Sequence, residues 1–264
     1  MYGDLLCPMI VHSVIYFIRN LLLIITAIVA FLSCSEKPVA LVREVRCQGD
    51  ALISKRMTYT SSGEMASLVQ PGDSGVYTYA EHRIELRRYF SEDSSTILQS
   101  YTTDELGRIR NEQIFEKDSV LLSTSTFEYT DDGQLDLIHS INLRTNAEFR
   151  FLLAYQDEDP VKMKVFLNNQ LLRTFYYRYD PEAVNLLSLT GEISGYPVFS
   201  VLNGDSPLGK PAAHLLLERI VVEANGDTSE YITYKNQIGN QSELQSILMK
   251  NELYGTTMYF EYNY

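Results

Sequence analysis

Along Thr124-Ser-Thr-Phe-Glu-Tyr129 the side chains alternate, so Phe127 and Tyr129 fall on one face of an extended segment. Asp132-Gly133 follows. Glycine accepts a positive φ and aspartate closes the turn, so this pair predicts a tight hairpin. Beyond it Leu135, Leu137, Ile141 and Leu143 share one parity, with His139 among them, while Asp136, Ser140 and Asn142 take the other. A period of two predicts a strand with one buried face, and places His139 as a packed core residue. The same alternation sets Ile84, Leu86 and Phe90 together, then Met163, Val165 and Leu167, then Phe175, Tyr177 and Tyr179, and last Met258, Phe260, Tyr262 and Tyr264. Helix signals are few. Residues 181–189 read as a short helix, because proline suits a first turn. Residues 191–214, rich in glycine and proline, read as one irregular insertion.

The alternating runs repeat. MTYTSSGEM (57–65), YTTDELGRI (101–109) and FEYTDDGQL (127–135) share an aromatic, a polar turn and a return to apolar residues. LAYQDEDPV (153–161) and YRYDPEAV (177–184) are looser copies. The anchor tyrosines are Tyr59, Tyr79, Tyr101, Tyr129, Tyr155, Tyr179, Tyr234 and Tyr262. Their spacing runs from 20 to 28 residues, except for a gap of 55 before Tyr234. That gap is about two units long, which predicts a degenerate or displaced anchor within it. The expected fold is all-β: a long antiparallel meander of hairpins over residues 41–264, forming an open curved sheet or a partly closed barrel, with few helices.

The N-terminus breaks the pattern. Residues 21–33 are almost wholly apolar and follow Arg19. The run is too short for a bilayer span of roughly 20 residues and fits a secretory signal peptide at 1–33. It ends in Leu32-Ser33-Cys34, which resembles the lipobox of bacterial lipoproteins. That resemblance implies diacylglycerol on the Cys34 thiol, a palmitate-bearing mature N-terminus and a linker over 34–40. Ser35 in place of aspartate is similar to lipoproteins sent to the outer membrane, and Glu36-Lys37 loosely resembles a surface-export tag. A start at Met9 would remove the unusual Asp4 from the signal.

Composition narrows the partners. The formal net charge of −12 argues against nucleic acid, against polyanions and against broad adhesion to anionic lipid. Three cysteines are present. Cys7 leaves with the signal and Cys34 carries lipid, so Cys47 remains alone, as a small structural residue without an intrachain disulfide. There are 19 tyrosines and no tryptophan. Tyrosine suits half-buried pleated surfaces and also recognition surfaces. Histidines 82, 139 and 214 stand at no metal-ligand spacing, and HExxH, a phosphate loop and G-x-S-x-G are all missing. Asp157-Glu158-Asp159 reads as a solvated hairpin turn before it reads as a calcium loop. No cofactor or metal is expected.

Y-T-x-D-x-x-G-R-I at 101–109 and Y-T-D-D-G-Q-L at 129–135 resemble the YD repeats of the Rhs family, sharing the Tyr–Asp–Gly core. The whole layout is similar to uncharacterised Bacteroidota outer-membrane lipoproteins with a porin-like β-meander, ending here in F-E-Y-N-Y. This resemblance implies the fold and an outer-membrane, lipid-anchored place, on the periplasmic side or the cell surface. It carries over no site residues. The expected function is a membrane-tethered, non-enzymatic binding or envelope-assembly component, with a glycan or envelope protein as partner. The alternatives are a glycan-acting hydrolase using carboxylates from neighbouring strands, and a lipid or lipoprotein carrier. Tyr176 and Tyr259, opposite in parity to the apolar sets of their strands, are the candidate binding residues for an extended uncharged partner.

Overall fold

The computed structural model describes residues 44–48, 53–61, 64–117, 119–184, 208–210, 212–239 and 244–263. The expected signal peptide, Cys34 and the 34–40 linker lie outside these residues, as does most of the 191–214 insertion. Sixteen strands follow one another: β1 (Glu44–Gln48), β2 (Ile53–Tyr59), β3 (Met65–Gln70), β4 (Asp73–Ala80), β5 (Arg83–Phe90), β6 (Thr96–Thr103), β7 (Ile109–Glu116) and β8 (Val120–Tyr129). Then come β9 (Leu135–Asn142), β10 (Ala147–Gln156), β11 (Asp159–Leu167), β12 (Gln170–Val184), β13 (His214–Glu223), β14 (Thr228–Ile238), β15 (Leu244–Asn251) and β16 (Thr257–Asn263). Each is antiparallel to the next, and β1 pairs β16, with Val45 opposite Tyr262 and Cys47 opposite Phe260. The meander therefore closes into a barrel and leaves no open edge.

Two sequence expectations change here. Pro181–Val184 continues β12 as strand instead of opening a helix. Among the described strands the gap of 55 hides no degenerate anchor. The eight tyrosines occupy the eight even-numbered strands without omission, and the extra length is the β12–β13 connection.

The unit has a fixed construction. At the β8–β9 turn the Thr130 N–H donates to Gln134 O at 2.8 Å, and the Gly133 N–H to Thr130 O at 2.9 Å. Gly133 has φ +85°, as Asp-Gly predicts. Asp104 and Gly107 repeat these contacts before β7, and Glu223 and Gly226 before β14. A bulge follows. Glu128 faces Leu137 and Tyr129 faces Leu135, so Asp136 is left over. Ala66, Arg110 and Val161 are skipped in the same place in their units.

That extra residue reverses the expected parity of β9. Leu135 is inside, but Leu137 is outside, and Ile138 is the fully buried residue of the strand. Ser140 and Asn142 share the interior side with Ile138, while Ile141 and His139 share the outer side. His139 is thus no core residue. It pairs across to Arg150, its side chain is a third exposed, and its Nε2 lies 3.0 Å from Glu148.

The interior is filled by side chains. Met65, Tyr77, Ile84, Leu86, Tyr101, Ile109, Phe127, Leu135 and Ile138 form one cluster across β3–β9. Met163, Val165, Phe175 and Val221 continue it around β11–β13, and Ile232, Tyr234 and Met249 around β14–β15.

Candidate functional site

Alternation along the strand turns these anchor tyrosines inward, Tyr129 sharing the side of the buried Phe127, and their hydroxyls join one hairpin to the preceding one. Tyr79 donates to Met65 O at 3.0 Å, Tyr129 to Ile109 O at 2.7 Å and Tyr155 to Leu135 O at 2.7 Å. Each acceptor is the first inward residue after the preceding turn. Burial pushes the phenols of Tyr79, Tyr129 and Tyr155 well above their ordinary range, and that of Tyr234 up to about 12. They are neutral donors at any physiological pH. Arg108 and Arg110 lie over the Tyr129 ring at 4.8 and 5.1 Å, both held by Asp104.

The end of the insertion packs against these hairpins. Leu208, 2% exposed, packs into the cluster of β3–β9. The Lys210 N–H donates to Gly133 O at 3.0 Å, which fixes the segment to the β8–β9 turn. Six residues after Leu208, His214 is tied to Asp159. The His214 N–H donates to Oδ1 at 3.0 Å, and Nδ1 lies 2.7 Å from Oδ2. Asp159 is buried, unlike the exposed Asp157 and Glu158 of the same turn. No sequence signal links residues 55 positions apart, so this contact was invisible before folding.

Deeper in the barrel sits Glu112, 2% exposed. Ser125 Oγ donates to it at 3.0 Å and Gln99 Nε2 at 3.3 Å, and Ser140 Oγ lies 3.2 Å from Ser125 Oγ. Among the described residues no cation pairs with it. Burial raises its carboxyl above the usual range, against the opposing hydrogen bonds from Ser125, Tyr101 and Gln99. A raised value in the fold means that stability is fully present below the unfolded-state value and is lost as pH rises through the folded one. Glu112→Gln is therefore expected to raise the unfolding free energy measured by urea denaturation at pH 8 by ~1–3 kcal/mol, the scale of an under-compensated buried polar group. The gain should vanish near pH 4, and an equal gain at both pH values would refute the assignment. Other carboxylates are ion-paired: Asp73 with Arg88, Glu116 with Arg144, Glu223 with Arg173 and Glu230 with Arg219. Among the described residues no group of three metal-ligating side chains occurs.

The two candidate binding residues stand on the outer face. Tyr176 lies between Lys162 and Ile220 and is 42% exposed. Tyr259 lies between Leu248 and Gln48 and is half-buried. Three strands separate β12 from β16, so the rings are two separate points on the wall and form no common cleft.

No protein-family model matches the chain, and no curated protein matches it in sequence. Solved structures do match. A porin-like protein from Bacteroides uniformis aligns over 86% of this chain and 98% of its own, at 14% identity and a TM-score of 0.63. One from Bacteroides vulgatus aligns over 84% and 98%, at 12% identity and a TM-score of 0.61. The chain thus shares the fold of these porin-like Bacteroides proteins.

Proposed function

We propose that this protein is a lipid-tethered, non-enzymatic barrel of the outer membrane, attached through Cys34 and binding an envelope partner on its outer wall, on the periplasmic side or the cell surface. The observation that supports this reading is the sense of the barrel. A membrane-spanning barrel turns apolar side chains to lipid and polar ones to its lumen. Here Tyr101, Ile109, Phe127 and Ile138 fill the inside, while Arg87, Arg150, Lys162 and Lys164 stand on the outside, mid-strand. A lysine at a bilayer midplane costs about 2–4 kcal/mol, so this wall is built for water. The likeness to porin-like proteins supports an envelope setting through the fold.

The test is to exchange residues 1–34 for a cleavable signal without a lipobox. The barrel should then move from the membrane to the soluble fraction, and Cys34→Ala should lose metabolic labelling by a palmitate analogue. A barrel that stays in the membrane after the exchange spans it, and the reading falls.

A further inference from the structure

Acidic residues outnumber basic ones by 34 to 22, so most cations find a carboxylate. On the described strands Arg88 pairs with Asp73, Arg144 with Glu116, Arg178 with Glu218 and Lys250 with Glu252. One part of the outer wall departs from this. Arg150 on β10 and Lys162 and Lys164 on β11 have no carboxylate within ion-pair distance among the described residues. Lys164 stands opposite Leu152 and Thr174, and Arg150 opposite Phe166, one pair further along. Lys162 stands opposite Tyr176, with Nζ 5.3 Å from the ring centre. Tyr176 and Thr174 in turn face Ile220 and Val222 on β13. No acid lies within this set. Of the acids beside it, Glu148 is engaged by His139 and Glu218 by Arg178 and Tyr231, while Asp157 and Glu158 stand exposed at the β10–β11 turn.

We propose that this patch, Arg150, Lys162, Lys164 and Tyr176, binds an acidic polysaccharide, one with carboxylates on its sugar rings. The proposal rests on the reading of the outer wall as a binding surface and names its ligand class. Alternate residues of a strand are about 6.7 Å apart and neighbouring strands about 4.8 Å, which sets the three cations within reach of successive carboxylates on one chain. The exposed tyrosine ring offers a face to the C–H side of a sugar. Screening makes the patch local: beyond about 8–10 Å the other charges of an acidic protein are largely damped at physiological salt, so −12 overall does not repel an anion here. An acidic peptide fits less well. The barrel has used its backbone donors in the ladders, leaving no edge for strand addition. An anionic bilayer fits less well too, because Leu152, Phe166, Ile220 and Val222 are half-buried and do not protrude.

The full chain in detergent is titrated with polygalacturonate, with neutral dextran, with phosphatidylglycerol vesicles and with an oligothymidylate. Saturable, salt-weakened binding to polygalacturonate alone is expected. It should weaken at least tenfold in Lys162→Glu/Lys164→Glu and in Tyr176→Ala, with melting unchanged. No binding to polygalacturonate, equal binding to dextran, tighter binding to vesicles or oligonucleotide, or indifference to both variants overturns the proposal. Binding to neutral glycans that is lost in Tyr176→Ala or Tyr259→Ala would still uphold the outer wall as the binding surface while removing its acidic ligand. A glycan and peptide array on which those two variants change nothing would remove both.

Discussion

Replacing Gly209 by alanine is expected to unseat the 208–210 segment and to cost about 2.5–4 kcal/mol. Gly209 has φ +84°, and a Cβ there would lie 2.5 Å from the Gly133 carbonyl oxygen and 2.8 Å from the Tyr129 ring. The nearest obstacle is backbone held in a hairpin, so it cannot swing aside as a flexible side chain would. The segment must lift instead. Lifting returns Leu208 to water, about 1.5–3 kcal/mol, and breaks the bond from Lys210 N to Gly133 O, roughly another 1 kcal/mol. Leu208→Ala alone should cost about 2–5 kcal/mol. The double variant should cost little more than Gly209→Ala, because the first change has already removed what the second deletes. Urea midpoints of the three variants check this. Full additivity would show that Leu208 stays seated without the glycine.

Tyr129 should separate the two parts of the repeat. Tyr129→Phe keeps the ring beneath Arg108, Arg110 and Gly209 and loses the hydroxyl's bond to Ile109 O, for about 0.5–1.5 kcal/mol plus the cost of an orphaned carbonyl. Tyr129→Ala also removes the ring, and should cost about 3–5 kcal/mol, as large aromatic truncations do. If the two variants are equally destabilised, the hydroxyl carries the ladder. If Tyr129→Phe is silent, the spacing of the tyrosines reflects ring packing alone.

The hairpin repeat was legible because its determinants are local. Asp-Gly at 132–133 and the tyrosine twenty-odd residues from the next are readable within a single unit, and they yield eight hairpins. The buried face of β9 was not. Leu135 and Leu137 have one parity in sequence and opposite sides in the barrel, because the ladder skips Asp136. A bulge has no sequence mark as strong as the alternation it interrupts. Long-range pairings were equally hidden: His214 with Asp159, Leu208 with the β3–β9 cluster, and the gathering of Arg150, Lys162 and Lys164 without an acid among them, which requires knowing that β10 and β11 turn those residues the same way. Total charge described the chain as uniformly acidic, whereas strand register sorted cations and acids unevenly around the wall.

The pairing of β1 with β16 has a consequence for the order in which the barrel is made. Glu44 and Asn263 are ladder partners, with the Asn263 amide 3.5 Å from the Glu44 carboxylate. A polypeptide made from its amino end presents β1 early, and its partner comes last. Until then the growing sheet has two unsatisfied borders, one of them β1 itself, and each is a template for a neighbouring chain. Fourteen intervening strands can zip sequentially, through short turns except at the long β12–β13 connection, but the final seam is a single event of very high sequence separation, the slow kind. Loss of the last hairpin would therefore reopen both borders at once, and such a fragment should aggregate instead of persisting as a shorter barrel.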